Sequence, residues 1–252
     1  MNTIALDSPA TDSNAAQSAF DVAGNASRVL SSPQNLAAVL DHTLLKPEAT
    51  RDQVLKLARE AAEYKFACAM VNPAWVATVY AALAGAGVPV GVVVGFPLGA
   101  NLTTTKREEA AAMVRLGARE LDMVINVGLL KSGENALLEK DIHGVVEIGH
   151  DAGAVVKVIL ETCLLSTEEK LRASEIACSA GADFLKTSTG FSTHGATAPD
   201  VALLRGVAGS RCGVKASGGI RTLDDARTML EAGASRIGAS ASVSIVQALT
   251  AK

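Results

Sequence analysis

Two lysines in the second half of the chain have the setting for amine chemistry. Lys186 closes the apolar run Phe-Leu-Lys, and Lys215 lies in Gly-Val-Lys-Ala-Ser-Gly-Gly. On neighbouring buried strands, their ammonium groups would repel each other, and burial disfavours both charges. Lowering a lysine pKa from about 10.4 to about 7 destabilises the ammonium by ~4 kcal/mol and yields a neutral amine. Such an amine attacks a carbonyl carbon and forms a Schiff base, whereas a lone strand-end lysine would reach for water or a salt bridge.

Charged residues also stand inside two earlier apolar runs. Asp122 lies in Leu-Asp-Met-Val-Ile-Asn, and Lys157 begins Lys-Val-Ile-Leu-Glu. A charge inside a buried strand is costly unless it is paired or used. We therefore expect Asp122 either to transfer a proton or orient a lysine, or else to form a structural ion pair with Lys157. Glu161 shares the strand parity of Lys157, so those two could pair instead; for Lys157 we predict only positioning and electrostatic roles.

Glycines after the last apolar runs suggest a phosphate site. Gly218 and Gly219 follow the seventh run, Ser240 ends the eighth just before a helix, and Gly190 follows the sixth. In (β/α)8 barrels, the loops after strands 7 and 8 and a helix N-terminus bind phosphate through backbone N–H groups. A Gly-Gly pair alone is more often only a turn, but its place beside the lysine pair favours phosphate binding.

The elements that would hold these residues alternate regularly from Pro33 onward. Eight units of a short apolar run and a segment of helical period predict an α/β fold, the (β/α)8 TIM barrel, whose catalytic groups lie at the C-terminal strand ends. A doubly wound open sheet shows the same alternation, but the first run lacks its Gly-x-Gly-x-x-Gly turn. The first apolar run ends at 41–43, and the other seven cover 66–71, 88–95, 120–126, 154–161, 183–188, 212–216 and 236–239. Helices are predicted over 50–64, 104–116, 167–180, 199–208 and 222–232, with one more that starts at Pro73 and a long one that follows the fourth run and ends at about 151. Glycines at 87, 117, 153, 181 and 233 are predicted to close helices.

Composition divides the chain into two parts. Residues 1–32, rich in Ala, Ser, Asn and Asp, predict a poorly ordered N-terminal extension with at most a short helix near 15–30, followed by a catalytic barrel domain over 33–252. A hydrophobic content of 49% supplies a large core. A net charge of −3 without a basic stripe argues against nucleic-acid binding. No apolar run reaches the ~18 residues of a membrane span.

Cysteine and histidine usage indicates neither a metal nor any other cofactor. The four cysteines form no Cys-x-x-Cys pair, and no His/Cys cluster has zinc-ligand spacing. Scattered thiols of this kind are typical of reduced proteins of the cytoplasm. The first residues also lack the basic and apolar regions of a secretory signal, so we expect a cytoplasmic protein.

Eight motifs in sequence order make the chain resemble the deoxyribose-phosphate aldolase family from about Leu36 onward. They are DHTLLKP from Asp41, VNPAWV from Val71, VGFPLG from Val94, ELDMVIN from Glu120, KVILETC from Lys157, FLKTSTGF from Phe184, KASGGIRT from Lys215 and RIGAS from Arg236.

The resemblance implies reversible cleavage of 2-deoxy-D-ribose 5-phosphate to D-glyceraldehyde 3-phosphate and acetaldehyde, without a metal. Lys186 matches the Schiff-base lysine, Lys215 the second lysine that perturbs it, and Asp122 the acid/base aspartate. The partners expected are the phosphosugar, acetaldehyde and further copies of the chain in a dimer or tetramer. Substrate positioning is assigned to Asp41, Thr43, Lys157 and Thr189, and phosphate binding to Gly190, Gly218, Gly219 and Ser240.

Three departures from the family pattern stand out. Met70 replaces a cysteine of many relatives, Phe191 replaces a lysine of some, and the chain ends without a tyrosine tail. Losing a cation beside the phosphate would weaken the preference for phosphorylated over free sugars. Two other functions stay open from the residues alone: another Schiff-base phosphosugar aldolase or transaldolase, and a non-catalytic phosphosugar-binding barrel.

Overall fold

The short runs of β-branched and small residues form eight parallel strands. In the computed structural model, which describes residues 20–250, the strands pair in sequence order and β1 pairs with β8 to close the barrel. This confirms the predicted (β/α)8 barrel and excludes an open sheet. The strands are β1 Leu40–Leu44, β2 Cys68–Val71, β3 Val90–Val94, β4 Ala118–Val124, β5 Val155–Ile159, β6 Phe184–Lys186, β7 Gly213–Ser217 and β8 Arg236–Ala239.

Helices follow the strands and cover the barrel. Residues at their N-termini explain several starts, since capping boxes open the helices that follow Thr50, Ser166 and Thr222. Within residues 20–250, no helix has the length and apolar character needed to cross a membrane. The helices are α1 Val22–Val29, α2 Pro33–Ala37, α3 Arg51–Tyr64, α4 Val76–Ala82, α5 Thr103–Arg115, α6 Val127–Lys131, α7 Asn135–Asp151, α8 Thr167–Ser179, α9 Ala198–Ala208, α10 Leu223–Glu231 and α11 Ser242–Thr250.

Two helical predictions differ from the structure in detail. The long helix expected after β4 is divided into α6 and α7 by a turn at Gly133, whose φ is +75°. Pro73 starts a short 3₁₀ turn before α4 instead of the α-helix itself. Four of the five glycines predicted to close helices have a positive φ and directly follow the C-cap residue of a helix. Gly87 is the exception, because α4 already ends at Ala82.

Helix α1 lies against the outside of the barrel. Ala26 and Val29 are buried, and Asn25 Nδ2 donates to the carbonyl of Ala234 at 3.3 Å. The Arg205 guanidinium lies 3.9 Å from the centre of the Phe20 ring. The sequence assigned residues 1–32 to the extension, but from residue 20 onward this segment packs on the barrel. The rest of that prediction, for residues 1–19, falls outside the described residues and stays a prediction.

The interior of the barrel is divided between an apolar and a charged side. Leu45, Cys68, Met70 and Val93 form a small buried cluster near β2 and β3, against which Phe96 packs. Parallel strands alternate their side chains between the barrel interior and the helices. On the remaining strands, the inward positions carry the charged residues that form the candidate site.

Candidate active site

Lys186 and Lys215 are paired neighbours on β6 and β7. Both side chains are buried, with relative exposures of 3% and 1%. Each Nζ donates to the same oxygen, Asp122 Oδ2, at 2.7 Å from Lys186 and 2.6 Å from Lys215. The prediction that neighbouring strands bring the two ammonium groups together is therefore confirmed.

Asp122 joins three lysines. Its Oδ1 accepts a hydrogen bond from Lys157 Nζ at 2.8 Å, while its Oδ2 accepts hydrogen bonds from Lys186 and Lys215. The expected ion pair with Lys157 is thus present, and the same carboxylate also contacts Lys186 and Lys215; its role in proton transfer stays a prediction. Burial alone would raise the pKa of Asp122, but the charges of Lys157, Lys186 and Lys215 outweigh it and hold that pKa well below its usual value. Asp122 is consequently ionised throughout the neutral pH range.

The amine of Lys186 loses its proton more easily than an ordinary lysine does. Burial lowers the pKa of Lys186. The charges of Lys215 and Lys157 lower that pKa further, while Asp122 raises it, and the net result is a fall from 10.5 to about 8. The value is higher than the 7 expected from the sequence, because Asp122 stabilises the ammonium. A fall of this size still raises the neutral fraction at pH 7 roughly 300-fold.

Lys157 is a permanent cation at the centre of the barrel. Burial by itself would lower its pKa, but Asp122, Glu120 and Asp41 raise it well above the ordinary value. Its Nζ lies 2.5 Å from Glu120 Oε2 and 2.8 Å from Asp122 Oδ1. The alternative pairing of Lys157 with Glu161 is wrong, because the chain leaves β5 before Glu161 and turns there, with a φ of +57°.

Glu161 holds Thr189 instead. The backbone N–H of Thr189 donates to Glu161 Oε1 at 3.3 Å, and the Thr189 hydroxyl donates to Oε2. Thr189 lines the cavity above Lys186, and its substrate-positioning role stays a prediction. Sequence reasoning did not give this role to Glu161.

Asp41 lies beneath the lysine pair, away from the cavity. Its Oδ2 accepts from Lys215, and its Oδ1 accepts from Arg236 Nη1 at 2.9 Å. Burial would raise the pKa of Asp41, but Lys215, Lys157 and Arg236 lower it below the ordinary value. Asp41 therefore contacts Lys215 and does not line the cavity at the C-terminal strand ends; the substrate-positioning role predicted for it stays a prediction.

Glu120 and Arg236 are charged residues that sequence reasoning missed. Arg236 Nη2 lies 3.5 Å from Glu120 Oε1 at the N-terminal ends of β4 and β8. The alternation of side chains along a strand could have identified them. Glu120 stands two positions before Asp122, and Arg236 stands two positions before Gly238, so each shares a face of its strand with that residue. We call the seven ionisable groups joined by these ion pairs, six buried and Arg236 partly exposed, the interior charge network: Asp41, Glu120, Asp122, Lys157, Lys186, Lys215 and Arg236.

The interior charge network balances only when one base is uncharged. It holds three carboxylates and four basic groups. With Lys186 neutral, three negative charges face three positive ones. An unbalanced charge in a water-poor interior is costly. The composition of the network and the lowered pKa of Lys186 therefore agree.

A cavity of about 400 Å³ opens at the C-terminal ends of the strands, above the network. Lys186 is the one member of the interior charge network that lines it. Thr43 lies on its wall, with its hydroxyl donating to the backbone carbonyl of Asp41 at 2.8 Å. The cavity also contains all four residues predicted to bind phosphate, namely Gly190, Gly218, Gly219 and Ser240.

The glycine loops that form one wall of the cavity pack closely together. Gly190, Gly218 and Gly219 have φ values of +85°, +85° and +82°, a region that other residues rarely adopt. A Cβ on Gly195 would lie 2.0 Å from the carbonyl oxygen of Gly218, so only glycine fits there. The N–H of Ala196 donates to that same oxygen at 3.0 Å. The loop after β6 is thereby fixed against the loop after β7.

Two cations near the mouth of the cavity were not identified from the sequence. Lys46 follows β1 and Arg221 follows β7, and both line the cavity. Phe191 forms part of the same wall and meets Phe96 edge to face, with ring centres 5.2 Å apart. The cation that Phe191 replaces in some relatives is therefore not the only source of positive charge beside the glycine loops.

Asp41, Cys68 and Glu120 converge closely enough to resemble a metal-binding cluster. Lys157 and Arg236 already contact the carboxylates of this group, at 2.5 Å for Lys157–Glu120 and 2.9 Å for Arg236–Asp41. Burial also raises the pKa of the Cys68 thiol well above its usual value, which disfavours the thiolate that a metal needs. The residues present fit an ion-pair network better than a metal site.

Comparisons with known proteins agree with this geometry. Residues 35–248 match the family described as DeoC/LacD family aldolase. Curated deoxyribose-phosphate aldolases from Bacillus mycoides and Bacillus cereus are 57% identical over 212 residues, which cover 84% of this chain and 95% of each relative. A deoxyribose phosphate aldolase structure from Aeropyrum pernix, described as tetrameric, superposes with a TM-score of 0.85 at 37% identity, covering 91% of this chain and 97% of that chain.

Proposed function

Since this chain belongs to the DeoC/LacD family of aldolases, we propose that it cleaves 2-deoxy-D-ribose 5-phosphate reversibly to D-glyceraldehyde 3-phosphate and acetaldehyde. The observation that carries the proposal is the position of Lys186. Its amine has a pKa of about 8 and is the one member of the interior charge network at the cavity wall. A neutral amine facing a cavity of sugar size is the arrangement that Schiff-base catalysis requires.

The first step joins Lys186 to the substrate. The neutral Nζ attacks the C1 aldehyde of the open-chain sugar to give a carbinolamine. The carbinolamine takes up one proton on its hydroxyl and loses water, which leaves a protonated imine; hydrolysis of the imine later returns that proton. The positive charge then stands at the position of the former ammonium, next to Asp122 Oδ2. Because Asp122 stays ionised, it stabilises this cation without a change of its own charge.

The second step breaks the bond between C2 and C3. Removal of the proton from the C3 hydroxyl forms the aldehyde of glyceraldehyde 3-phosphate, while the bonding electrons move to the protonated imine and give an enamine. We assign the proton transfer to Lys215 and Asp122 acting through water. Protonation of the enamine at C2 and hydrolysis of the imine then release acetaldehyde and the free Lys186 amine.

The phosphate group is assigned to the glycine wall of the cavity. Backbone N–H groups near Gly190, Gly218 and Gly219, and Ser240 before helix α11, supply donors for its oxygens. Arg221 and Lys46 add positive charge near the mouth. Thr43 and Thr189 border the space between this wall and Lys186, so we assign them to the sugar hydroxyls.

Reductive trapping tests the proposal directly. The protein is incubated with acetaldehyde and sodium cyanoborohydride, digested and examined by peptide mass spectrometry. We expect an ethyl group on Lys186 and none on Lys106, which is equally buried but lies outside the barrel interior, bound to Asp141. Phosphosugar binding without any adduct on Lys186 would instead support a binding protein. Adduct formation with dihydroxyacetone phosphate, but not acetaldehyde, would support another class of Schiff-base aldolase.

We further propose that the chain works in the cytoplasm as a homo-oligomer. All four cysteines are free thiols, which suits a reducing compartment. The Aeropyrum pernix relative is described as a tetramer. Light scattering coupled to gel filtration would distinguish a dimer or tetramer from a monomer.

A further inference from the structure

Arg236 lies at the opposite end of the barrel from the cavity. It is the first residue of β8 and pairs in register with Lys215. Its side chain is 15% exposed, and its guanidinium lies 5.5 Å from the centre of the Phe184 ring. The cavity wall does not include Arg236, so any effect on the reaction must act through other residues.

An unbroken series of ion pairs leads from Arg236 to Lys186. Arg236 holds Asp41 Oδ1 at 2.9 Å, and the other oxygen of Asp41 accepts from Lys215. Lys215 in turn shares Asp122 Oδ2 with Lys186. A second branch runs from Arg236 through Glu120, which lies 2.5 Å from Lys157 Nζ.

We propose that Arg236 is a positioning residue that keeps Lys186 in its uncharged, reactive form. Arg236 neutralises Asp41 and Glu120 from below, which leaves Lys215 and Lys157 as the cations that face Asp122. Without the charge of Arg236, the three carboxylates of the network would face only the basic groups of Lys157, Lys186 and Lys215, and the network would balance only if Lys186 kept its proton. The inference rests on the proposed Schiff-base chemistry of Lys186.

The groups that can titrate or carry charge around this path come from seven strands. Strand β3 contributes Gly91 and Val93 at its inward positions and hence no charge. The others are Asp41 on β1, Cys68 on β2, Glu120 and Asp122 on β4, Lys157 on β5, Lys186 on β6, Lys215 on β7 and Arg236 on β8.

The test is the pH dependence of acetaldehyde trapping on Lys186 in Arg236→Met and Arg236→Lys. For Arg236→Met, we expect the rising limb to move up by about one pH unit, so that trapping at pH 7 falls about tenfold and recovers at high pH. Arg236→Lys keeps the charge and should keep the wild-type profile. A loss in Arg236→Met that is equal at every pH would mean a purely structural role and would overturn the inference.

Glu120→Gln provides a test with the opposite sign. It removes a negative charge from the same end of the network, so the rising limb should move to lower pH; an unchanged or raised limb contradicts the inference. Arg205→Met is the matched control, because Arg205 is a buried arginine on α9 outside the barrel interior. It should lower stability and leave the pH profile unchanged.

The two proposals fail in different ways. If wild-type protein gives no adduct on Lys186 at any pH, the proposed function fails. If the adduct forms and the Arg236→Met profile matches the wild type, only the role of Arg236 is overturned. If Arg236→Met does not fold, Glu120→Gln and Arg236→Lys still decide the question.

Discussion

Lys186 and Lys215 donate to one carboxylate oxygen, yet only Lys186 reaches the cavity wall. The two lysines thus have the same electrostatic partner but different access to substrate. We infer from this difference in access that Lys186 is the reactive amine and that Lys215 contributes its charge.

Replacing Lys186 removes the nucleophile. Lys186→Met should lower kcat by about 10⁴-fold or more, because no other amine of the network lines the cavity. The fold should persist, since the methionine fills a similar volume. Steady-state kinetics and circular dichroism check the two statements. Substantial turnover in a folded Lys186→Met protein would show that another group carries the reaction.

The pH profile should report the ionisation of Lys186. Since its pKa lies near 8, kcat/KM should rise about tenfold per pH unit below that value and level off above it. Lys215→Leu removes a positive charge that lowers this pKa, so the limb should move to higher pH by about one unit or more. Trapping rates with acetaldehyde measure the shift even where turnover is lost. Lys215→Arg retains the charge and serves as the control; an unshifted limb in Lys215→Leu would contradict the lysine-pair account.

A methyl group at Gly238 should disturb Lys215. The added Cβ would lie 3.1 Å from Lys215 Cε and 3.0 Å from Ser217 Cβ, so the lysine must move by a few tenths of an ångström or more. Gly238→Ala should therefore lower kcat/KM by about 10- to 100-fold. Gly206→Ala, on the exposed face of α9 with no atom near the new methyl, should leave kinetics unchanged and slightly stabilise the protein. Equal kinetic effects of the two substitutions would rule out this contact as the cause.

Arg221 should contribute to recognition of the phosphate. Arg221→Gln should raise KM for 2-deoxy-D-ribose 5-phosphate by about three- to tenfold, because a charge-assisted contact is lost at the cavity mouth. KM for unphosphorylated 2-deoxy-D-ribose should not change. The control is Arg51→Gln, because Arg51 is an exposed arginine that follows β1 but does not line the cavity. A parallel rise for both sugars would place Arg221 outside phosphate recognition.

The sequence predicted the barrel and the lysine pair because both follow from local patterns. Eight apolar runs required eight strands, and strand order made Lys186 and Lys215 neighbours. A substrate-positioning role was predicted for Asp41, but its depth in the barrel could not be predicted. That depth depends on the closure between β1 and β8, which no local pattern encodes. The same closure brings Arg236 onto Asp41 across the whole length of the chain.

Helix α1 shows a second limit of the sequence. Polar composition suggested a solvated tail, but Asn25 and the pair of Phe20 and Arg205 connect this segment to the far end of the chain. Contacts between distant parts of the sequence override local composition when they bury enough surface. Composition alone therefore placed the start of the packed chain too late.

The division of the barrel interior has a consequence for how such a catalyst diversifies. The groups that tune the amine are rooted in the strands, whereas the residues assigned to the ligand's far end belong to loops at the rim. We therefore expect that changes in those loops would alter which aldehyde is accepted and leave the pKa of Lys186 unchanged. On the proposed mechanism, a lysine placed alone in another barrel would lack the lowered pKa of Lys186, because we attribute that pKa to the interior charge network, whose residues come from six strands.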